Sequence, residues 1–410
     1  MSWELVLAVG LALAAVLGVL MFIWGSRRRD AGPAGDVKQV PTNYPSIQGA
    51  INAASEGDVI VVLPGIYQED LLVEGKNLTI RGRDPEDDEV VAATIIQGTG
   101  LSSVITISGD GHYTCHLEGL TVTGGRGNVE RGPNTLGPGC RAGGGIAVKG
   151  SAGATMDRLV VRENEADLGG GLYLDVSAAV TLRKCLIEGN RAHLGGGIRV
   201  GDDFAQEVAV DPFASTASLE PRSEAARCAI TDCDIVANGA SIGAGLSVSG
   251  RAAPTISRSR ISQNQAALEG GGIAMWNGAR AHLEGNRIQD NRVTGDYAFG
   301  GGASSARGAR PIIHRNSFQG NQVQGDRDSG GGGLWVHQSA PVLSGNRFRR
   351  NWGDRRGGAI DVRAHSEAVL RKNRLSANSA TAYSGIYLDS TSRASGPDAK
   401  RLTSRDSSSR

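Results

Sequence analysis

A glycine cluster followed by an aliphatic residue returns along this chain at a nearly fixed period, and nothing else in the sequence restricts the available folds as much. GGGI ends at Ile146, GGGL at Leu172, GGGI at Ile198, GAGL at Leu246, GGGI at Ile273, GGGA at Ala303, GGGL at Leu334, GGAI at Ile360 and SGI at Ile386. The intervals, by subtraction, are 26, 26, 48, 27, 30, 31, 26 and 26 residues. A second landmark keeps step: Asn164, Asn190, Asn238, Asn264, Asn291, Asn321, Asn351 and Asn378. Two landmarks held in register over eight repeats of this size indicate a solenoid, because such a unit buries its apolar face only against its neighbours.

The spacing within a repeat supplies the elements. Three residues before each asparagine stand Val161, Ile187, Ile235, Ile261, Ile288, Phe318, Phe348 and Leu375, and eight before it stand Met156, Leu182, Ile230, Ile256, Leu283, Ile313, Leu343 and Leu370. After the glycines, pairs such as Leu172/Leu174, Ile198/Val200 and Leu334/Val336 alternate as strands with one buried face do. Each coil thus contributes three short strands. Stacked coils give an all-β, single-stranded right-handed parallel β-helix of three sheets and ten or more coils over residues 42–390. The 60 glycines and the 4% aromatic content suit many tight turns better than a helical bundle.

Several regular polar features have structural readings. Asn286, Asn316, Asn346 and Asn373 fall five residues before the landmark, at inward parity, where stacked amides satisfy one another. Cys185 and Cys233 occupy the same position in adjacent coils and read as core thiols. The glycines read as backbone positions needing positive φ or close approach of the next coil, not as a phosphate loop, since no strand-to-helix context follows them.

Outside the solenoid, Leu5 to Trp24 is entirely apolar or Gly, long enough for one transmembrane helix, with Arg27, Arg28 and Arg29 directly after it. Residues 1–25 are therefore expected to anchor the chain in a membrane, and 26–41 to form a basic, flexible linker. The arginines favour a cytoplasmic solenoid by the positive-inside rule. Residues 391–410, rich in Ser, Arg and Asp, are expected to be a disordered tail. With 43 Lys+Arg against 42 Asp+Glu, net charge gives no case for nucleic acid as a partner.

Candidate chemistry falls in three places. The outward positions after the glycines carry Trp276, Trp335, His337, Asp361 and Arg363, a face able to stack and hydrogen-bond sugar rings. An insertion at 202–227 fills the 48-residue interval, and Asp175, Asp202 and Asp203 at neighbouring strand ends form a candidate Ca²⁺ site, with Arg199 as a candidate lyase-type base. A row of Arg158, Lys184, Arg258, Arg260, Arg287, Arg315, Arg347, Lys372 and Arg374 precedes the asparagines, a solvated face or one whose charge is met by an anionic glycan, by lipid head groups or by intervening acids.

The stretch PSIQGAINAASEGDVIVVLPGIYQEDLLVEGKNLTIRG, Pro45 to Gly82, resembles the opening of pectin methylesterases and of the pectin-lyase-like superfamily. Its Ile47, Ala50, Ile51 and Ala54 share one helical face, expected to cap the end of the solenoid. The GG[GA][ILV] and [IFL]-x-x-N coils, and FRRN with GGAI, resemble polymorphic autotransporter passenger repeats. The resemblance implies the fold and an extracytoplasmic place in a bacterial envelope. The esterase Q-A-V, Q-D-x and D-F-x-F-G segments and the polygalacturonase signature set are not matched, and Asp202-Asp203 is a lone D-D, so no catalytic residue carries over. The sequence alone supports a membrane-anchored glycan-binding or surface-scaffold β-helix. A polysaccharide lyase, epimerase or hydrolase acting on uronate-type glycans and a protein-binding assembly scaffold stand as alternatives.

Overall fold

The computed structural model describes residues 35–130, 139–201, 228–250, 252–397 and 399. The expected membrane span, Asp202 and Asp203, and the rest of the 202–227 insertion lie outside the described residues. Among those described, no helix is long and apolar enough to cross a membrane.

The chain winds as a single-stranded right-handed parallel β-helix of about eleven turns. The first sheet has 13 strands, from Val37–Val40 to Arg393–Ser395; the second has 11, from Gly65–Gln68 to Arg374–Ser376; the third has 11, from Leu71–Glu74 to Ile386–Leu388. The stacking is direct. Ile187 pairs with Ile235 and Ile235 with Ile261, all fully buried, so each coil covers the aliphatic side chains of the one before.

Between the second and third sheets the structure adds a layer that the three-sheet expectation lacks. A fourth, six-stranded sheet runs through Gly239–Ile242, Gln265–Glu269, Arg292–Phe299, Gln322–Gly330, Trp352–Arg356 and Ser379–Ala382. Isolated bridges extend it through Leu194 and Leu168 to Ala142. The glycine clusters make the reversal from this layer into the third sheet. Gly270 has φ +63°, and a Cβ on Gly272 would lie 2.5 Å from the carbonyl oxygen of Gly302 in the next coil.

Two amide ladders run the length of the later coils. Asn264 Nδ2 donates to Asn291 Oδ1 at 2.9 Å and to the Ile235 carbonyl at 3.0 Å, and the pattern repeats from Asn164 to Asn378. The second ladder passes from Cys233 through Ser259 to Asn286, Asn316, Asn346 and Asn373. Cys185 and Cys233 lie buried at its start, and burial raises the Cys185 thiol well above its ordinary range.

The helix Ile47–Ala53 packs Ile47, Ala50 and Ile51 on the first coils. Ser46 Oγ caps it by accepting from Gly49 N, and the Glu69 carboxylate accepts from Ile47 N and Gln48 N. Two expected boundaries shift. Val37–Val40, assigned to the linker, pairs with Val59–Val62, and Arg393–Ser395, assigned to the tail, adds a strand to the first sheet beside Glu367–Arg371. Burial that alternates along Val37–Val40 explains the former. Lys38 forms a buried ion pair with Asp58 at 2.5 Å, and Val40 is fully enclosed.

Candidate functional site

Outward positions of the third sheet line up in columns, one of which runs Tyr173, Arg199, Ser247, Ala274, Ser304, Trp335, Asp361 and Tyr387 from coil to coil. Alternation correctly directs these side chains away from the main core. It does not make them solvent-facing, because the fourth layer folds over them. Trp276 and Trp335 are only 2% and 1% exposed, and Arg199 and Asp361 are 1% and 0% exposed. The expected open aromatic platform is thus corrected to a second, sealed core shared with Leu168, Leu194, Ile242 and Phe299.

Two groups form within it. In one, the Arg199 and Arg307 guanidinium carbons lie 5.6 and 5.1 Å from the Trp276 ring centroid, and Trp276 Nε1 donates to Ser247 Oγ at 3.2 Å. Arg199 donates to Ser247 Oγ and Ser249 Oγ, and Arg307 pairs with the buried Glu269 at 3.5 Å. Burial raises the Glu269 carboxyl despite Arg307. Arg199 is therefore held in an interior stack and does not present itself as a base.

In the other group, Trp335 stacks between Phe299 and His337, with ring centroids 4.5 and 4.9 Å apart, and Arg363 lies 4.9 Å over Phe299. Arg363 reaches Asp361 at 2.8 Å and Asp328 at 2.8 Å, and Asp328 also pairs with Arg356. Burial pushes the Asp361 carboxyl up to about 7 even though Arg363 and Arg356 oppose the shift. Burial, with Arg363 and Arg307 nearby, lowers His337 to about 4. Trp335, His337, Asp361 and Arg363 lie together in this group, while Trp276 belongs to the neighbouring one.

Phe299, Glu269, Arg307, Asp328 and Arg356 escaped the sequence reading. Their signal was present in two forms: the 30- and 31-residue intervals, which contain the long strands Arg292–Phe299 and Gln322–Gly330, and the apolar residue directly before several glycine clusters, as at Leu168, Leu194, Ile242 and Phe299.

Asp175 is a turn residue whose Oδ1 accepts from Ser177 N and Oγ. Among the described residues no group of three or more His, Cys, Asp or Glu side chains is placed to hold a metal ion.

Over the first coils the third sheet is open. Leu72 pairs in register with Thr106, and Ser108 with Lys149. Leu72, Thr106 and Lys149, together with Asp70, Ser102, Ser103, Asn128 and Val129, line a groove of about 370 Å³. Asn128 Nδ2 donates to Thr106 Oγ1 at 2.8 Å, and Ser102 Oγ donates to Asp70 Oδ2 at 2.7 Å, which fixes the polar wall. Leu72 and Val129 remain about half exposed, at 46% and 50%.

This architecture defines a class, the right-handed parallel β-helix proteins. Residues 215–326 match the right-handed β-helix region family. By its winding the chain is a right-handed parallel β-helix, and the family model matches part of that winding. Solved structures that it resembles include a pectate lyase (12% identity, 86% of this chain and 76% of that one, TM-score 0.37). An alginate lyase from Paenibacillus (13%, 83% and 96%, TM-score 0.35) and the catalytic unit of an α-1,3-glucanase from Streptomyces thermodiastaticus (16%, 90% and 70%, TM-score 0.44) are others. No curated protein matches the chain in sequence.

Proposed function

We propose that this chain is a polysaccharide-binding solenoid, held at a membrane by its apolar Leu5–Trp24 segment, which binds its ligand without turning it over. The observation that carries the reading is the groove over the first coils. There hydroxyl, amide, ammonium and carboxylate groups converge beside two exposed aliphatic side chains, the mixture that recognises the polar edge and apolar face of sugar rings. The ionisable groups most suited to chemistry, Asp361 and Arg199, are sealed under the fourth layer instead.

The test is retardation of the full-length, detergent-solubilised protein in gels containing immobilised polysaccharides, neutral and acidic. Thr106→Val and Asn128→Ala are expected to weaken retention about tenfold, equivalent to losing one or two hydrogen bonds. Absence of retention on every polysaccharide removes the reading.

One observation favours a second reading, turnover of a uronate-type glycan: a carboxyl raised by burial to about 7, that of Asp361, lies beside Arg363. It requires the fourth layer to lift from Asp361. Loss of product formation in Asp361→Asn, with retention on the gel unchanged, would establish it.

A further inference from the structure

The row of cations before the asparagine ladder is partly paired with acids in the middle coils, where Lys184 and Arg287 have no carboxylate at ion-pair distance among the described residues, and is wholly unpaired in the last ones. Arg183 pairs with Asp157, Arg258 with Asp232 at 2.8 Å and Arg260 with Asp234 at 2.8 Å, each partner one coil away. Glu284 and Asp290 are the last carboxylates on this face. Over the next three coils the same surface carries Arg315, Arg347, Arg349, Arg350, Lys372 and Arg374, with Arg371 at the adjoining strand end. All seven are exposed, and none has a carboxylate partner among the described residues.

Arg347 stands directly beside Arg374 in the sheet ladder, an arrangement of like charges that is unfavourable without a counter-charge. The framework can supply acids at these positions, as Asp232 and Asp234 show, so this end differs from the middle by sequence and not by geometry.

We infer that the second-sheet face of the last three coils is a binding surface for an anionic polysaccharide, one bearing carboxylate or sulfate groups along its length. Six of the seven cations are arginines, whose planar fork fits carboxylate and sulfate oxygens two at a time. Strand pairing repeats the charges at ~4.8 Å, a spacing suited to an extended chain of sugar units. The aromatic side chains here, Phe318 and Phe348, point into the core and are fully buried. The face therefore lacks the exposed apolar wedge of a membrane-inserting surface and the stacking rings of a single-stranded nucleic-acid surface. The inference deepens the polysaccharide reading by naming an anionic chain, and uses a surface separate from the first-coil groove.

The test uses three polymers of one backbone: dextran, carboxymethyl-dextran and dextran sulfate, each titrated against the full-length protein. Both anionic polymers are expected to bind and neutral dextran not to bind at this face, with affinity falling as salt rises. Arg347→Gln/Arg374→Gln is expected to weaken the anionic polymers about tenfold, while Arg258→Gln leaves them unchanged. Equal binding by wild type and the double variant, both with unaltered melting, overturns the inference whatever the groove does. Tighter Arg347- and Arg374-dependent binding to phosphatidylglycerol vesicles or to duplex DNA also overturns it. Loss of groove-dependent retention alone leaves this surface standing and removes the first-coil reading.

Discussion

The Asp361 carboxylate lies 2.8 Å from the Arg363 guanidinium two residues along the same strand, and the pair is covered by the layer that carries Asp328 and Arg356. Side chains that alternation aims outward have become the interior of a second core. Its ionic members report on pH, and its aromatic members on stability.

Asp361 and His337 are expected to act on stability with opposite signs. The Asp361 pKa rises in the fold from 3.8 to about 7, so its favourable contribution is complete at low pH and is lost as pH rises through that window. His337 falls from 6.5 to about 4, so its contribution is present above 6.5 and is lost as pH falls toward 4. Relative to wild type, Asp361→Asn should therefore gain stability as pH rises from 4 to 6.5, and His337→Gln should lose it over the same rise. Each change is on the order of a few kcal/mol at most. Thermal midpoints against pH check this, and parallel profiles for wild type and both variants would refute it.

Trp335→Ala is expected to act on folding. The ring lies between Phe299 and His337 at 1% exposure, and truncating it leaves a cavity in a sealed layer. The expected cost is about 3–5 kcal/mol in denaturant unfolding, with polysaccharide affinity of the folded fraction unchanged.

Breaking the amide ladder in its middle should cost more than breaking it at its end. Asn291 is fully buried, accepts from both Asn264 N and Nδ2, and donates to Asn321 Oδ1. Asn291→Ala leaves several buried partners unsatisfied, at about 1–3 kcal/mol each. Asn378 closes the series and is only partly buried, so Asn378→Ala should be milder. Urea midpoints of the two variants give the comparison.

The main winding was legible because it rests on strict periodicity. Inward positions such as Ile187, Ile235 and Ile261 have one physical reason to be apolar in every coil, and the Asn landmarks have one reason to be amides. The fourth layer was not legible to the same degree. Parity states only that Trp335 and Asp361 leave the first core; whether water or another segment meets them depends on the length and path of the loop before the glycines. The first-coil groove was hidden for a different reason. Asn128, which fixes Thr106, comes from a short hairpin with Cys140–Ala142 that interrupts the repeat, so no period points to it.

The size of a polysaccharide recovered after capture by the full-length protein tests binding without turnover most directly. The polymer is expected to be retained through the Asn128 and Thr106 groove and released at its original chain length. Passage without retention, or recovery as shortened fragments, would contradict the account.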